Sequence, residues 1–156
     1  MKGNAKVIEF LNEALTEELT AINQYFIHSE ICENDGYLVL HKHIKHESID
    51  EMKHAEKLIE RILFLEGQPN MSRYNQVKVG ATVEEMLAND FELENGAVAM
   101  YNRGISLCGE AGDHGSRDLL QGLLKDEEGH LDWIDTQRAL IQKLGLANYL
   151  TLQTGE

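Results

Sequence analysis

Two short stretches, Asp50-Glu51-Met52-Lys53-His54 and Asp126-Glu127-Glu128-Gly129-His130, decide how the rest of the sequence is read. Each holds a Glu and a His three positions apart. On a helix that spacing puts both side chains on one face, where they can grip one ion. The stretches stand 76 positions apart (51 to 127, 54 to 130), and the offset extends well beyond them. Glu18 matches Glu94, Tyr25 matches Tyr101, Cys32 matches Cys108, Leu11 matches Leu87 and Ala21 matches Ala97. The chain reads as two copies of one helical hairpin related by a pseudo-twofold axis.

Working outward, the hairpins span about 5–66 and 82–144. There is one proline in 156 residues, and the apolar residues recur at helical spacing. Leu11, Leu15, Ile22 and Tyr25 carry a first helix toward Asn34-Asp35-Gly36, a C-terminal signal. A second helix runs from about Leu38 and stops at Gly67, with Pro69 just beyond. Residues 67–81 lack periodicity and read as a connection. Thr82-Val83-Glu84-Glu85 is a capping box that opens a third helix, continuing to about Gly112. A fourth begins near Ser116 and ends at Gly145, and a short helix of about 146–152 closes the chain. Two short links and one long one predict an all-α fold, a four-helix bundle with one long crossover connection and a short fifth C-terminal helix, in a single domain over 1–156.

Lys and Arg total 14 against 27 Asp and Glu, a net charge of −13. That balance argues against nucleic acid or an anionic membrane as partner and suits cations. No run approaches the roughly 20 apolar residues of a membrane span, and the first residues hold no signal-peptide core, so the expected location is cytoplasmic. Cys32 and Cys108 form no framework of disulfides and read as inert core thiols.

The charged pattern is at odds with its surroundings. At 100° per residue Glu18 lies at the centre of the face formed by Leu11, Leu15, Ile22 and Tyr25. Glu94 sits likewise among Leu87, Phe91, Val98 and Tyr101, and Glu127 and His130 share a face with Leu120, Leu124, Leu131 and Ile134. An unpaired buried ion costs several kcal/mol. The bland alternative, carboxylates that reach out to solvent or pair with Lys and Arg, fails because these faces hold few cations. Two divalent cations would neutralise four carboxylates and leave the imidazoles as neutral donors. Without thiolates the set disfavours structural zinc, and imidazole disfavours calcium. Carboxylates mixed with imidazoles suit iron or manganese. A Glu from each of two helices with Glu-x-x-His from the other two is the di-iron or di-manganese bundle pattern.

Along its whole length the chain resembles the bacterioferritins, ferritin-like di-iron carboxylate proteins. Ala21-Ile22-Asn23-Gln24-Tyr25-Phe26, Glu47-Ser48-Ile49-Asp50-Glu51-Met52-Lys53-His54-Ala55 and Ile59-Glu60-Arg61-Ile62-Leu63-Phe64-Leu65-Glu66-Gly67 carry the likeness. The resemblance implies that Glu18 and His54 bind one iron, Glu94 and His130 the other, and that Glu51 and Glu127 bridge them. It implies a ferroxidase in which ferrous iron and dioxygen react and ferric mineral accumulates inside a cage of twenty-four copies of the chain, built from dimers. A ferredoxin reductant would release the iron.

Met52 points about 100° away from the metal face, with Ile49 and Ile59 flanking it. The matching positions in the second hairpin are Glu128, Lys125 and Asp135, all charged. An apolar outer stripe on one sister helix marks an interface. Through the resemblance, two Met52 side chains across a twofold axis ligate one haem b, with Ile22, Asn23, Phe26 and Ile49 lining its pocket. His41, His43, His46, Glu47 and Asp50 form a local cluster, in which His46 and Asp50 resemble the family's inner-surface iron residues. Trp133, Tyr25 and Tyr101 lie within a helical period or two of metal-face residues and are candidates for relaying electrons. Gly96, Gly104, Gly109, Gly122 and Gly129 interrupt helices three and four without a sequence-level reason. The competing functions are a haem-binding electron carrier, which would survive loss of Glu94 or His130, and a non-catalytic shell subunit, which the complete ligand set argues against.

Overall fold

The computed structural model describes residues 1–155. Four long helices and a short one follow in order: α1 (Ala5–Asn34), α2 (Leu38–Phe64), α3 (Val83–Glu110), α4 (His114–Leu144) and α5 (Leu146–Leu152). There is no strand among the described residues, and no helix is long and apolar enough to cross a membrane. α1 packs along α2 and α3 along α4 as two hairpins, joined through α1 against α3 and α2 against α4, and α5 packs on α4.

The expected 76-residue repeat is present in the backbone. Gly36 (φ 87°) and Gly112 (φ 71°) end α1 and α3 in the left-handed region, which only glycine enters freely. After each, the next N–H bonds back to a cysteine carbonyl, Tyr37 to Cys32 at 2.8 Å and Asp113 to Cys108 at 2.9 Å, completing a Schellman turn. Burial pushes the Cys32 thiol up to about 12 and the Cys108 thiol up to about 11, so both are inert packing groups beneath the turns. Thr82 caps α3 by accepting from the Glu85 N–H, while the Glu85 carboxylate accepts from Ala81. α4 begins two residues earlier than the sequence suggests, because Asp113 caps it by accepting from the Ser116 N–H at 2.9 Å. α2 also ends differently. Glu66 (φ 63°), not Gly67, takes the left-handed position, and the Gly67 N–H reaches the Ile62 carbonyl at 2.9 Å.

The long connection between α2 and α3 is pinned along α1 by a row of polar side chains. Asn12, Thr20, Gln24 and His28 accept the backbone N–H groups of Asn70, Asn75, Lys78 and Gly80 at 2.7, 2.8, 3.1 and 3.0 Å. Irregular backbone that crosses a bundle must place its N–H groups somewhere, and this row takes them. His28 is fully buried. Its Nε2 accepts from Gly80, so Nδ1 carries the proton and donates to Asp90 at 2.9 Å.

Apolar residues form two separate clusters. One holds Leu11, Leu15, Leu58, Ile62, Tyr101 and Leu120, the other Ala21, Leu40, Ile44, Leu87, Ile134 and Tyr149. All four long helices pass from one cluster to the other, and the six metal-face residues lie at the crossing. Gly104 has a packing reason, since a Cβ there would come within 2.2 Å of the Phe10 ring. At Gly122 and Gly129 a Cβ would meet nothing, and the structure gives no reason for glycine there.

Two stability changes of opposite sign follow. His28→Leu leaves the Gly80 N–H buried without a partner and takes from the buried Asp90 one of its two donors, Gln24 remaining; it should cost roughly 3 kcal/mol, lowering the thermal midpoint. Gly122→Ala should raise it through a stabilisation of about 1 kcal/mol, because the helix interior gains Ala with no steric conflict.

Candidate metal centre

Glu18, Glu51, His54, Glu94, Glu127 and His130 meet in the middle of the bundle, all buried. They form two overlapping groups. One ligand atom from each of Glu18, Glu51, His54 and Glu127 lies within 4.8 Å of the others, and the same holds for Glu51, Glu94, Glu127 and His130. Glu51 and Glu127 belong to both. The imidazoles stand nearly parallel with ring centroids 6.2 Å apart.

Each ring turns Nδ1 inward and Nε2 outward. His54 Nδ1 lies 2.8 Å from Glu127 and 3.5 Å from Glu18, while Nε2 lies 2.9 Å from Asp126. His130 Nδ1 lies 3.2 Å from Glu51 and 3.4 Å from Glu94, while Nε2 lies 3.4 Å from Asp50. Asp50 and Asp126 are repeat mates, so each hairpin orients the other's imidazole. The tyrosines cross in the same way. Tyr25 donates to Glu94, and Tyr101 donates to Glu18 at 2.5 Å.

The donor set fits cations. Oε2 of Glu18, Glu94 and Glu127, Oε1 of Glu51 and Nδ1 of His130 are buried with no hydrogen-bond partner. A buried polar atom left unpaired costs about 1–3 kcal/mol. Several such atoms around one point mark a place shaped for ions they can coordinate. In the metal-free chain, protons supply the compensation instead. Burial, with repulsion from neighbouring carboxylates, raises Glu51 and Glu94 well above the usual range, and burial followed by Glu127 pushes Glu18 up to about 7. Burial would also raise Glu127, but the neighbouring Glu94 carboxyl and the His130 and His54 imidazoles hold it well below its ordinary value. Burial opposes charge on the imidazoles, yet the surrounding carboxylates prevail, raising His54 to about 11 and His130 strongly.

Glu47, which the sequence places only in the local His/acid cluster, belongs to the centre. Glu47 is buried, with Oε1 2.8 Å from His43 Nε2 and Oε2 2.9 Å from His130 Nδ1. Burial opposes its charge, but the two histidines hold its pKa below the ordinary value. Its place one helical turn before Glu51 could have revealed it. His43 in turn stacks on Trp133, ring centroids 3.8 Å apart. The local His/acid cluster thus divides three ways. His43 and Glu47 face the centre, the exposed His46 pairs with Asp50 at 3.3 Å, and His41 turns toward α1. Asp50, His54, Asp126 and His130 also line a surface cleft of about 350 Å³ between α2 and α4.

Met52 is 55% exposed, as is its helical neighbour Ile49 at 41%, and on α1 Phe26 is 56% exposed. Ile59 does not belong to this stripe. It is half-buried against the core.

Glu18 and His54 contribute to the pH dependence of the metal-free protein's stability, in the same direction as the raised Glu51, Glu94 and His130. Both hold protons in the folded chain beyond their ordinary values of 4.5 and 6.5. The stability they contribute is complete below those values and lost as pH rises, up to about 7 for Glu18 and about 11 for His54. Thermal midpoints of the metal-free protein should therefore fall steadily from about pH 5 to about pH 9. Added divalent metal, which displaces protons, should raise them most at the upper end. A midpoint that climbs over this range without metal would contradict the burial argument.

A family model for the ferritin-like domain matches residues 8–144. The bacterioferritin of Streptomyces coelicolor is 47% identical over 97% of this chain and 90% of its own length. That of Rhodobacter capsulatus is 44% identical over 97% and 94%, and that of Brucella melitensis 45% over 96% and 92%. An all-helical bundle with a doubled Glu-x-x-His centre, matched nearly end to end by these relatives, belongs to the ferritin-like family and, within it, to the bacterioferritins.

Proposed function

We propose that this chain stores iron by oxidising it: ferrous ions reach the buried centre, dioxygen takes their electrons, and ferric mineral collects within a cage of twenty-four subunits in the cytoplasm. The observation that carries the reading is the pair of ligand groups sharing Glu51 and Glu127. Two ions held side by side can give two electrons to one dioxygen, which a single ferrous ion cannot do. Glu18 and His54 would hold one ion, Glu94 and His130 the other, with Glu51 and Glu127 between them. Iron is here the substrate as well as the occupant.

The surrounding residues set the protonation of the ligands. Asp126 and Asp50 face the outer ring nitrogens and favour the tautomer that leaves Nδ1 free to donate its lone pair. Tyr101 and Tyr25 each take one oxygen of Glu18 and Glu94, leaving the other for an ion. Carboxyl protons held up by burial are displaced when cations enter, so uptake should release protons.

Met52 supplies the second part of the reading, a haem b between paired subunits. The exposed Met52 thioether would supply the ligand to the haem iron, and exposed apolar side chains such as Ile49 and Phe26 would suit its apolar ring. Thioethers are soft ligands, and haem carrying them favours the ferrous state. Such a haem suits electron delivery to stored ferric iron, from a ferredoxin on the outside.

Two variants separate the parts. His130→Ala should slow aerobic ferrous oxidation, followed by absorbance, by more than the roughly 10–100-fold that loss of a supporting residue costs. Haem content and helicity should be unchanged. Met52→Leu, similar in volume, should abolish haem and leave the oxidation rate nearly intact. Undiminished oxidation by His130→Ala would refute the centre, and haem retained by Met52→Leu would refute the ligand.

A further inference from the structure

We propose that Glu30, Glu33 and His41 form a separate divalent transition-metal site at the corner where α1 turns into α2. One ligand atom from each lies within 4.8 Å of the other two. Three features beyond proximity point to a cation.

The imidazole is pre-oriented. His41 Nδ1 lies 2.9 Å from the Ser29 backbone carbonyl, which can only accept, so Nδ1 carries the ring proton. That leaves Nε2 as the lone-pair nitrogen, 3.5 Å from Glu33 Oε2. Metal-binding histidines are held in this manner, with the far nitrogen donating to a carbonyl or carboxylate.

The charge is also misplaced for a helix on its own. Glu30 and Glu33 stand at the end of α1, followed by Asp35, and the last turn contains no basic residue. This is the negative pole of the helix, where carboxylates are disfavoured and cations favoured. A bound cation would relieve both the repulsion between the carboxylates and their clash with the pole.

The repeat shows that the cluster is not simply inherited with the hairpin. At the corresponding corner between α3 and α4 the positions are Ser106, Gly109 and Arg117, which have no such capacity.

One imidazole nitrogen with two carboxylates excludes a preference for calcium and suits borderline ions such as ferrous iron, cobalt and zinc. Three protein ligands leave coordination positions to water, and Glu30 and Glu33 are exposed. Such a site exchanges its ion and fits capture and hand-over rather than a structural role. It does not depend on what chemistry the buried centre performs.

Cobalt(II) is the probe, applied to the assembled, metal-free protein. In equilibrium dialysis the wild type should bind one more Co²⁺ per chain than the Glu30→Gln/Glu33→Gln variant. Anomalous diffraction at the cobalt edge should show density among Glu30, Glu33 and His41 in the wild type only, with density at the buried centre in both proteins. Gln keeps the shape of both side chains and the His41 bond to Ser29. Equal stoichiometry in the two proteins, or wild-type density confined to the buried centre, would overturn the proposal.

Discussion

Four carboxylates and two imidazoles packed into the middle of a helical bundle are the constraint that the rest of this molecule accommodates. Their charge lies between two apolar clusters, and every long helix must cross from one to the other at its own charged residue. Desolvating ions costs several kcal/mol each unless opposite charge is close. In the metal-free state the fold meets that cost with protons, on raised carboxylates and on imidazoles held charged by their neighbours. Cations do the same with more charge per site, and the orphaned oxygens already converge where they would stand. Affinity for metal is thus built into the packing. Neither hairpin holds a complete site, so the centre exists only when the two halves dock.

The pseudo-twofold relation governs this layer and ends where function differs between the halves. Tyr25 and Tyr101, and Asp50 and Asp126, exchange partners across the axis. Glu47 has Leu123 as its mate, and His43 has Leu119, so the buried acid beside His130 and its stacked His43–Trp133 pair belong to one side only. The outer face shows the same break. Met52 and Ile49 are mated to Glu128 and Lys125, and only the first hairpin presents an apolar patch.

Most of the architecture could be read from periodicity and spacing, because charged residues on an apolar helical stripe are a contradiction visible without coordinates. Glu18 among Leu11, Leu15, Ile22 and Tyr25 is the clearest case. The helix limits followed from Thr82 and Gly36, whose chemistry is local. What escaped notice depended on approach between distant segments. Ile59 shares the angular position of Met52, but a helical wheel carries no information about where the bundle broadens to cover it. Glu66 takes a left-handed conformation that composition assigns to Gly67, whereas Gly67 is small because a Cβ would lie 2.7 Å from Ile8. Glu47 reads in the sequence as part of a local cluster and not of the centre, because its partner His130 comes from the other hairpin.

The crossover shows how one position in the repeat serves different ends. Asn12, Thr20, Gln24 and His28 stand eight, four and four residues apart, on one face of α1, and bind the connection that runs over it. Their mates in α3 are Ala88, Gly96, Met100 and Gly104. These four positions hold no side chain that could accept a backbone N–H, each polar residue of the α1 row being replaced by an apolar or absent side chain. At Gly104 the vacated space takes the Phe10 ring, and at Gly96 it stays open as part of a groove that Arg73 and Asn75 of the connection border. Two of the glycines that seemed to weaken the second hairpin therefore have a common origin. They occupy positions whose first-hairpin counterparts exist to hold the strap, and a strap can cross the bundle only once.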